Sequence, residues 1–243
     1  MLTLLTYPKN GVVFSLSPFC VKAALLLDFA NETWQREDLN DPRKMPHGKL
    51  PVLRAGDQLI PDSQNIRRYL EQKGTDFDPG LSSQEKAQAQ AYIRMAEDSL
   101  YFHIVEDRWN NDLVWPTIRD NYFEEIPALI RRPVTNAIRK SVKQGLRFQG
   151  IDRFGSAERM ERLDDQLRSI SELVQERGFL MGARVSSADL SVAPMIQALG
   201  TTMVQTPSVL RVLTDSVLTG YVERVLQEVS VSYRSAGFVR EAA

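Results

Sequence analysis

The 243-residue chain carries 30 Lys and Arg against 31 Asp and Glu, and its net charge of −1 provides no broad basic field for nucleic acid. Its hydrophobic share of 43% is that of an ordinary globular protein with a sizeable core. Cys20 is the only cysteine, which excludes an intramolecular disulfide, and the two histidines, His47 and His103, lack the spacing of metal ligands, so we expect no metal.

The first part of the chain alternates short strands and helices. The order βαβ followed by ββα implies one parallel strand pair with a right-handed crossover, and then an antiparallel hairpin. The hairpin turns at Ala55-Gly56-Asp57. The predicted strands are Leu2–Tyr7, Thr33–Asp38, Leu50–Arg54 and Gln58–Ile60, and the predicted helices are Val21–Ala30 and one that starts at Asp62 or Ser63.

A linker at about residues 75–83 separates this part, residues 1–74, from an entirely helical part, residues 84–243. Three prolines interrupt the helical pattern and predict kinks or short loops, and Ser186 with Asp189 matches a capping box. We therefore expect two domains. The prolines are Pro116, Pro127 and Pro133, and the predicted helices are Gln84–Asn111, Ser156–Arg177, Leu190–Leu199 and Val217–Ser232.

The stretch Ser17-Pro18-Phe19-Cys20 opens the first helix. Ser17 suits the N-cap, and Pro18 suits the first helical position, where its missing N–H costs nothing. A hydroxyl and a thiol therefore lie within one turn of a helix N-terminus, where main-chain N–H groups and the helix dipole favour negative charge, including a thiolate. That sulfur could belong to Cys20 or to a ligand, and Ser17 could serve only as a cap.

With two further motifs, this stretch resembles the glutathione transferase superfamily. The resemblance covers nearly the whole chain and implies an α/β plus all-α fold: a thioredoxin-like N-terminal domain (βαβ-ββα) followed by an all-helical C-terminal domain. The motifs are Gly48-Lys49-Leu50-Pro51-Val52-Leu53, similar to a strand entry with a cis-proline, and Pro61-Asp62-Ser63 with Ile66 and Tyr69-Leu70. Ser187-Ala188-Asp189 and Tyr221-Val222-Glu223-Arg224 resemble segments of the helical domain.

Within the superfamily, the chain is most similar to bacterial relatives of the failed axon connections and metaxin proteins. It shares with them the S-P-F-C stretch after an extended loop, Pro8 to Leu16, and the pair Arg108-Trp109 near the end of a long helix. Metaxins act in protein import. The resemblance therefore also implies an alternative, a non-catalytic binding or interaction protein of metaxin-like type.

The superfamily resemblance implies that glutathione supplies the sulfur as a co-substrate. Ser17 would donate its hydroxyl to the thiolate, with Ser15 as a second candidate and Cys20 nearby. Lowering a thiol pKa by two units needs about 2.7 kcal/mol, and a hydroxyl that donates to a charged acceptor supplies about 1.5–3 kcal/mol. Cys20 lacks the partner thiol that dithiol exchange needs, so it is a buried structural thiol or forms a mixed disulfide with glutathione.

The same resemblance implies residues that hold glutathione. Leu50, before a cis Pro51, would pair with the cysteinyl main chain, and Lys49 would reach the glycyl carboxylate. Asp62 would pair with the γ-glutamyl ammonium, and Ser63 would bind its carboxylate. The alternatives are a trans proline, a solvated surface lysine and an ordinary Asp N-cap.

An electrophile pocket walled by Phe19, Tyr101 and Trp109 is also implied, although aromatic residues at helical spacing often form interhelical core. Segment 131–153 carries a basic helical face, which either favours an anionic co-substrate or acidic partner or is simply solvated. The role of this segment stays open.

Together these observations predict a glutathione transferase-like enzyme that activates the thiol of glutathione for attack on a small electrophile or a peroxide. The resemblance implies a homodimer. No signal peptide and no apolar run long enough to span a bilayer is recognised, so we expect a cytoplasmic protein with no membrane span and no nucleic-acid partner.

Overall fold

A computed structural model describes residues 1–9 and 13–229 of the chain. Its N-terminal part is a four-stranded sheet in the order β2-β1-β3-β4, flanked by helices. Leu4 and Leu53 face each other across the β1–β3 pair and are fully buried. The elements are β1 Leu2–Thr6, α1 Pro18–Phe29, β2 Trp34–Asp38, β3 Val52–Ala55, β4 Gln58–Pro61 and α2 Ser63–Gln72.

The strand pairing confirms the predicted βαβ-ββα order. β1 runs parallel to β2 and antiparallel to β3, and β3 pairs antiparallel with β4. Helix α1 starts at Pro18, as predicted from the Ser17 cap and the Pro18 position, and it includes three residues before the predicted apolar run Val21–Ala30. The N-terminal domain has the predicted thioredoxin-like fold.

The C-terminal part is helical. Two π-helical segments, Ala96–Leu100 and Glu106–Asn110, interrupt the predicted first helix without ending it, so it runs on to Asn110. Such π segments are frequent at functional sites. The helices are α3 Ser83–Met95, α4 Tyr101–Val105, α5 Trp115–Tyr122, α6 Ala128–Gln149, α7 Ser156–Arg177, α8 Ser187–Gly200, α9 Pro207–Leu213 and α10 Ser216–Val229.

The predicted helices correspond to these elements, with three differences. Pro133 lies inside α6 and does not end it. Helix α9 was not predicted, although Thr206 caps it and Pro207 occupies its first turn. The last helix, predicted as Val217–Ser232, is α10, and residues 230–232 lie outside the described part of the chain.

The core continues from the sheet layer into the helical domain. Helix α1 packs with α8, and all fourteen residues of α8 are buried. At this junction the ammonium of Lys22, fully buried on α1, pairs with the carboxylate of Glu97 at 2.5 Å. Breaking a buried pair by removing one partner costs several kcal/mol, about 3–5, so this pair couples the two domains.

A buried group of hydrogen bonds around Asp189 joins the start of α8 to Tyr221 of α10. The main-chain N–H and the hydroxyl of Ser186 both donate to Asp189, at 2.8 and 2.7 Å, which confirms the predicted capping box. The hydroxyl of Tyr221 donates to the same carboxylate at 2.9 Å. Burial raises the pKa of Asp189, and the donors around the carboxylate oppose that rise.

Candidate functional site

Ser17 lies at the start of α1, at the junction between the two domains. Its Oγ accepts a hydrogen bond from the main-chain N–H of Cys20 at 3.4 Å, so it caps the helix as predicted. A hydroxyl that accepts a hydrogen bond still has its own proton to donate. Capping the helix and donating to a thiolate are therefore compatible tasks for this one oxygen.

Cys20 is buried beneath this cap and has no solvent exposure. Burial raises the pKa of its thiol, while hydrogen bonds with Thr6, Tyr7, Ser17 and Ser15 oppose the rise. A thiol that is protonated and inaccessible is a poor nucleophile. The structure therefore favours the buried structural role for Cys20 among the alternatives.

Ser15, the second candidate for thiol activation, is 4% exposed and already engaged. Its Oγ donates to the carbonyl of Tyr7 at 3.1 Å and accepts the N–H of Ser17 at 3.4 Å. A hydroxyl has only one proton to donate. Ser15 is therefore a support for the loop, and Ser17 is the better candidate for donation to a ligand.

The loop before Ser17 is held from both domains. On the sheet side, Arg36 donates to the carbonyls of Phe14 and Tyr7, at 2.6 and 3.0 Å, and its guanidinium lies 4.1 Å from the centroid of the Phe14 ring. From the helical domain, Arg108 donates to the carbonyl of Leu16 at 2.7 Å. These contacts bring Ser17 to the domain junction despite the length of the loop.

Opposite this helix start, the chain enters β3 through Leu50 and Pro51, whose peptide bond is cis as the resemblance implied. Leu50 is buried, and no hydrogen bond from the described residues reaches its main-chain N–H or carbonyl. Main-chain groups that are left without partners are strong recognition elements for a peptide ligand. Leu50 thus offers one donor and one acceptor to an extended ligand.

The N-terminus of α2 lies beside this main chain. The N–H of Asp62 donates to the carbonyl of Pro51 at 3.0 Å, which joins the two candidate regions. Asp62 adopts φ 75°, uncommon for a residue with a side chain, and its carboxylate caps α2 through the N–H of Gln64 at 2.8 Å. The carboxylate of Asp62 stays exposed to solvent, whereas Ser63 is 1% exposed.

Lys49 lies at the outer end of the same region. It is exposed, follows two residues with positive φ, His47 and Gly48, and makes no ion pair with the described residues. A flexible ammonium in this position suits a ligand carboxylate as well as it suits solvent.

Two of the three predicted pocket aromatics meet at the junction. The rings of Phe19 and Tyr101 pack edge to face, with centroids 4.8 Å apart. Trp109 belongs to a neighbouring apolar cluster, where its ring lies 5.4 Å from that of Trp115 and contacts Phe123. The structure therefore brings Phe19 and Tyr101 into contact and places Trp109 in a separate apolar cluster.

Sequence reasoning overlooked Tyr7, which immediately follows β1. Its ring packs against the small apolar cluster that contains Cys20 and Leu50. Burial, with smaller contributions from Cys20, Tyr101 and Asp41, raises the pKa of Tyr7 to about 12. Tyr7 is therefore a protonated phenol at neutral pH, and an aromatic residue directly after a buried strand was the signal that could have identified it.

The basic segment 131–153 is partly structural. Arg131 donates to the carbonyls of Ile126 and Glu124, and Arg139 donates to those of Trp109 and Asn110. These arginines fasten α6 to the rest of the helical domain. The other basic residues of α6 lie mostly at its solvent-exposed side, and the structure does not select an anionic partner for them.

Within residues 1–9 and 13–229, no group of three or more His, Cys, Asp or Glu is arranged to hold a metal ion. The helices of that same part are each too short or too polar to cross a bilayer.

The site combines a thioredoxin-like sheet, a capped helix start and an adjoining helical domain. Residues 18–114 match the family model of the glutathione S-transferase N-terminal domain. The isoprene-epoxide–glutathione S-transferase of Rhodococcus sp. (strain AD45) is 27% identical over 245 residues, which cover 95% of this chain and 100% of that protein. The match of the N-terminal domain, this relative and the solved structures together support the glutathione transferase superfamily for this chain.

Two further comparisons bear on the fold and the subgroup. A delta-class glutathione transferase from Nilaparvata lugens superposes with a TM-score of 0.61 at 14% identity, covering 98% of this chain and 93% of that one. A metaxin-1 homologue from Drosophila melanogaster is 30% identical over 86 residues, 35% of this chain and 26% of the homologue. The first supports the fold, while the second is too short to decide the subgroup, which stays a prediction.

Proposed function

We propose that this protein is a glutathione transferase, in which the N-terminal domain binds glutathione and Ser17 stabilises its thiolate. The observation that carries the proposal is the free main chain of Leu50, which lies between the start of α1 and the exposed carboxylate of Asp62. Glutathione has a peptide main chain at its centre, an ammonium at one end and a thiol. These groups complement Leu50, Asp62 and Ser17.

Ser17 would act on the bound thiol by donating its free proton while Oγ still accepts from Cys20. A donor to a charged sulfur contributes about 1.5–3 kcal/mol, and the N-terminus of α1 adds up to about 1 kcal/mol. Two pKa units need about 2.7 kcal/mol. The two effects together are sufficient to populate the thiolate at neutral pH.

The remaining ligand contacts follow from the ends of the tripeptide. Asp62 would pair with the γ-glutamyl ammonium, and Ser63 with the N-terminus of α2 would bind the adjacent carboxylate. Lys49 would reach the glycyl carboxylate. Leu50 would use both its N–H and its carbonyl on the cysteinyl residue, as an extra strand does at a sheet edge.

The second substrate would enter between the domains, against Phe19 and Tyr101. The relative from Rhodococcus is named for an isoprene epoxide, and we extend that substrate class, a small apolar epoxide, to this chain as part of the proposal. The thiolate would attack an epoxide carbon and break its C–O bond. The released oxygen would take a proton, either from water or from a phenol of the pocket.

Ligand binding tests the proposal first. At a hundred times its dissociation constant, glutathione would stabilise the folded protein by about 2.7 kcal/mol. We expect a saturable rise in melting temperature with glutathione, a smaller rise with S-methylglutathione, which cannot form a thiolate, and none with free cysteine. Turnover of a small epoxide by the wild type, and its loss in Ser17→Ala, would then support the catalytic role.

The short match to a metaxin-1 homologue keeps one alternative, a non-catalytic binding protein. The absence of any thermal shift at millimolar glutathione would favour that alternative. Binding without turnover of epoxides, peroxides or aromatic halides would leave glutathione recognition standing and contradict the enzyme.

A further inference from the structure

We propose that Arg108 is a positioning residue of the thiol site, which fixes the Leu16–Ser17 peptide from the helical domain and places a positive charge beside the thiolate. The electrostatic half of this inference rests on the proposed function. The positioning half rests on the contacts of Arg108 alone.

The guanidinium of Arg108 is buried, with only 6% of the residue exposed. Its Nη1 donates to the carbonyl of Leu16 at 2.7 Å, and its Nη2 donates to the carbonyl of Ala198 at 2.6 Å. A longer contact of 3.4 Å joins Nε to the hydroxyl of Thr202. One planar group thus connects the loop before Ser17 to the C-terminal end of α8.

Arg108 supplies both carbonyls with a close donor, while that of Ala198 also accepts the Thr202 hydroxyl at 3.4 Å. Leu16 lies in a loop, and Ala198 is among the last four residues of α8, whose carbonyls have no partner within the helix. The helix C-terminus also favours a positive charge. The rigid fork of an arginine holds two acceptors in a fixed relation, which the single ammonium of a lysine cannot do.

The Leu16 carbonyl belongs to the same peptide unit as the N–H of Ser17. That N–H in turn contacts Ser15, and the Ser17 side chain caps α1. Arg36 holds the preceding part of the loop from the sheet side. Arg108 therefore sets where the Ser17 hydroxyl lies relative to the helical domain, which lines the opposite side of the junction.

The charge of Arg108 is not neutralised by a direct ion pair with any carboxylate in the described part of the chain, since three of its acceptors are neutral oxygens. The phenols of Tyr101 and Tyr122 beside it also stay neutral, because burial raises their pKa. Its neighbour Asp107 instead accepts the hydroxyl of Thr206 at 2.8 Å. A buried positive charge strongly favours a nearby anion. A glutathione thiolate at Ser17 would be such an anion, one peptide unit away.

The test compares Arg108→Met and Arg108→Lys with the wild type through two measurements. The first is the rate at which Cys20, the only cysteine and fully buried, reacts with an uncharged thiol reagent in the folded protein. The second is the apparent pKa in the pH profile of kcat/KM for glutathione. Denaturant unfolding of each variant supplies the rate expected from global opening alone.

For Arg108→Met we expect Cys20 to react faster, on the order of tenfold beyond the change expected from global unfolding, because the cap above Cys20 is released. We also expect the kinetic pKa to rise by about one unit as the charge is lost. Arg108→Lys keeps the positive charge but loses the two-donor geometry of the guanidinium. It should therefore accelerate Cys20 labelling, while the kinetic pKa rises by less than half of the rise in Arg108→Met.

Arg211→Met is the matched control. It removes another partly buried guanidinium, whose partners Asp164 and Asp215 lie in the helical domain. Once its labelling rate is corrected for any change in global stability, Cys20 in this variant should react as in the wild type, and the kinetic pKa should be unchanged.

If Cys20 in Arg108→Met reacts no faster than global unfolding predicts, the positioning role is overturned. If the apparent pKa of kcat/KM in that variant equals that of the wild type, the electrostatic role is overturned. If Arg108→Met does not fold, labelling of Arg108→Lys decides the positioning role. A wild type without turnover would contradict the proposed function and, with it, the electrostatic half, while the labelling rates still decide the positioning half.

Discussion

The main-chain N–H of Cys20 donates to Oγ of Ser17 at 3.4 Å, so a single oxygen both starts α1 and faces the domain junction. Because the cap uses a lone pair of the hydroxyl, its proton remains for a ligand. The stability of the helix and the chemistry of the site therefore depend on the same atom, and suitable substitutions can separate them.

Substitutions of Ser17 should separate the cap from the hydroxyl. Ser17→Ala removes the cap and should lower the free energy of unfolding by about 1 kcal/mol, whereas Ser17→Gly should cost only a few tenths, about 0.3 kcal/mol. Urea unfolding of both variants checks this order. An unchanged free energy of unfolding in Ser17→Ala would show that the cap does not stabilise the protein.

Asp62→Asn should weaken glutathione binding without destabilising the helix. Asparagine caps a helix as well as aspartate does and tolerates the positive φ of this position. The lost charge should raise the dissociation constant of glutathione about tenfold, or about 1.4 kcal/mol, in calorimetry. The control is Asp57→Asn in the exposed hairpin turn, which should bind as the wild type does. Equal affinities in the two variants would remove Asp62 from the site.

Tyr221→Phe should destabilise the helical domain. The tyrosine is fully buried, and its hydroxyl donates to Asp189 at 2.9 Å. A hydrogen bond to a charged group contributes about 1.5–3 kcal/mol, and its loss should appear in full as a lower free energy of unfolding. Tyr92→Phe, on a half-buried tyrosine without a described side-chain hydrogen bond, should change it by less than about 0.5 kcal/mol. Similar effects in both variants would contradict the role of the Asp189 contact.

His103 should make the protein less stable as the pH falls below neutral. Burial, with smaller effects from Arg159 and Arg162, lowers the pKa of His103 to about 4 from 6.5. Between these two pH values, His103 is protonated in the unfolded chain but stays neutral in the folded protein. The free energy of unfolding that is present above pH 6.5 therefore falls by about 3 kcal/mol as the pH drops towards 4.

The variant His103→Leu isolates this contribution. Its free energy of unfolding, measured in urea between pH 7 and pH 4, should fall less steeply than that of the wild type. Parallel pH curves for the two proteins would show that His103 is protonated as easily in the folded state as in the unfolded chain.

Local signals predicted much of the fold. Ser17 with Pro18 marked the start of α1, Ser186 with Asp189 marked the start of α8, and the apolar stripe of α7 matched its full extent. These features depend on neighbours a few residues apart, which periodicity and capping rules describe.

Relations between distant residues could not be predicted in the same way. Arg108 and Leu16 are 92 positions apart, and nothing in the pattern around Arg108 indicates that its guanidinium reaches a loop carbonyl of the other domain. The candidate residues Leu50 and Asp62 were found through a family resemblance, because their joint position follows from the sheet and not from their own surroundings.

The most direct test of the account is a titration of glutathione bound to the wild type and to Ser17→Gly, a variant that keeps the helix start nearly intact. The ultraviolet absorbance of the thiolate reports its ionisation at each pH. We expect the thiol in the wild type to ionise about two pKa units below free glutathione, and the variant to lose at least one of those units, or about 1.4 kcal/mol. Equal thiol pKa values in the two proteins would contradict the assignment of Ser17 as the group that stabilises the thiolate.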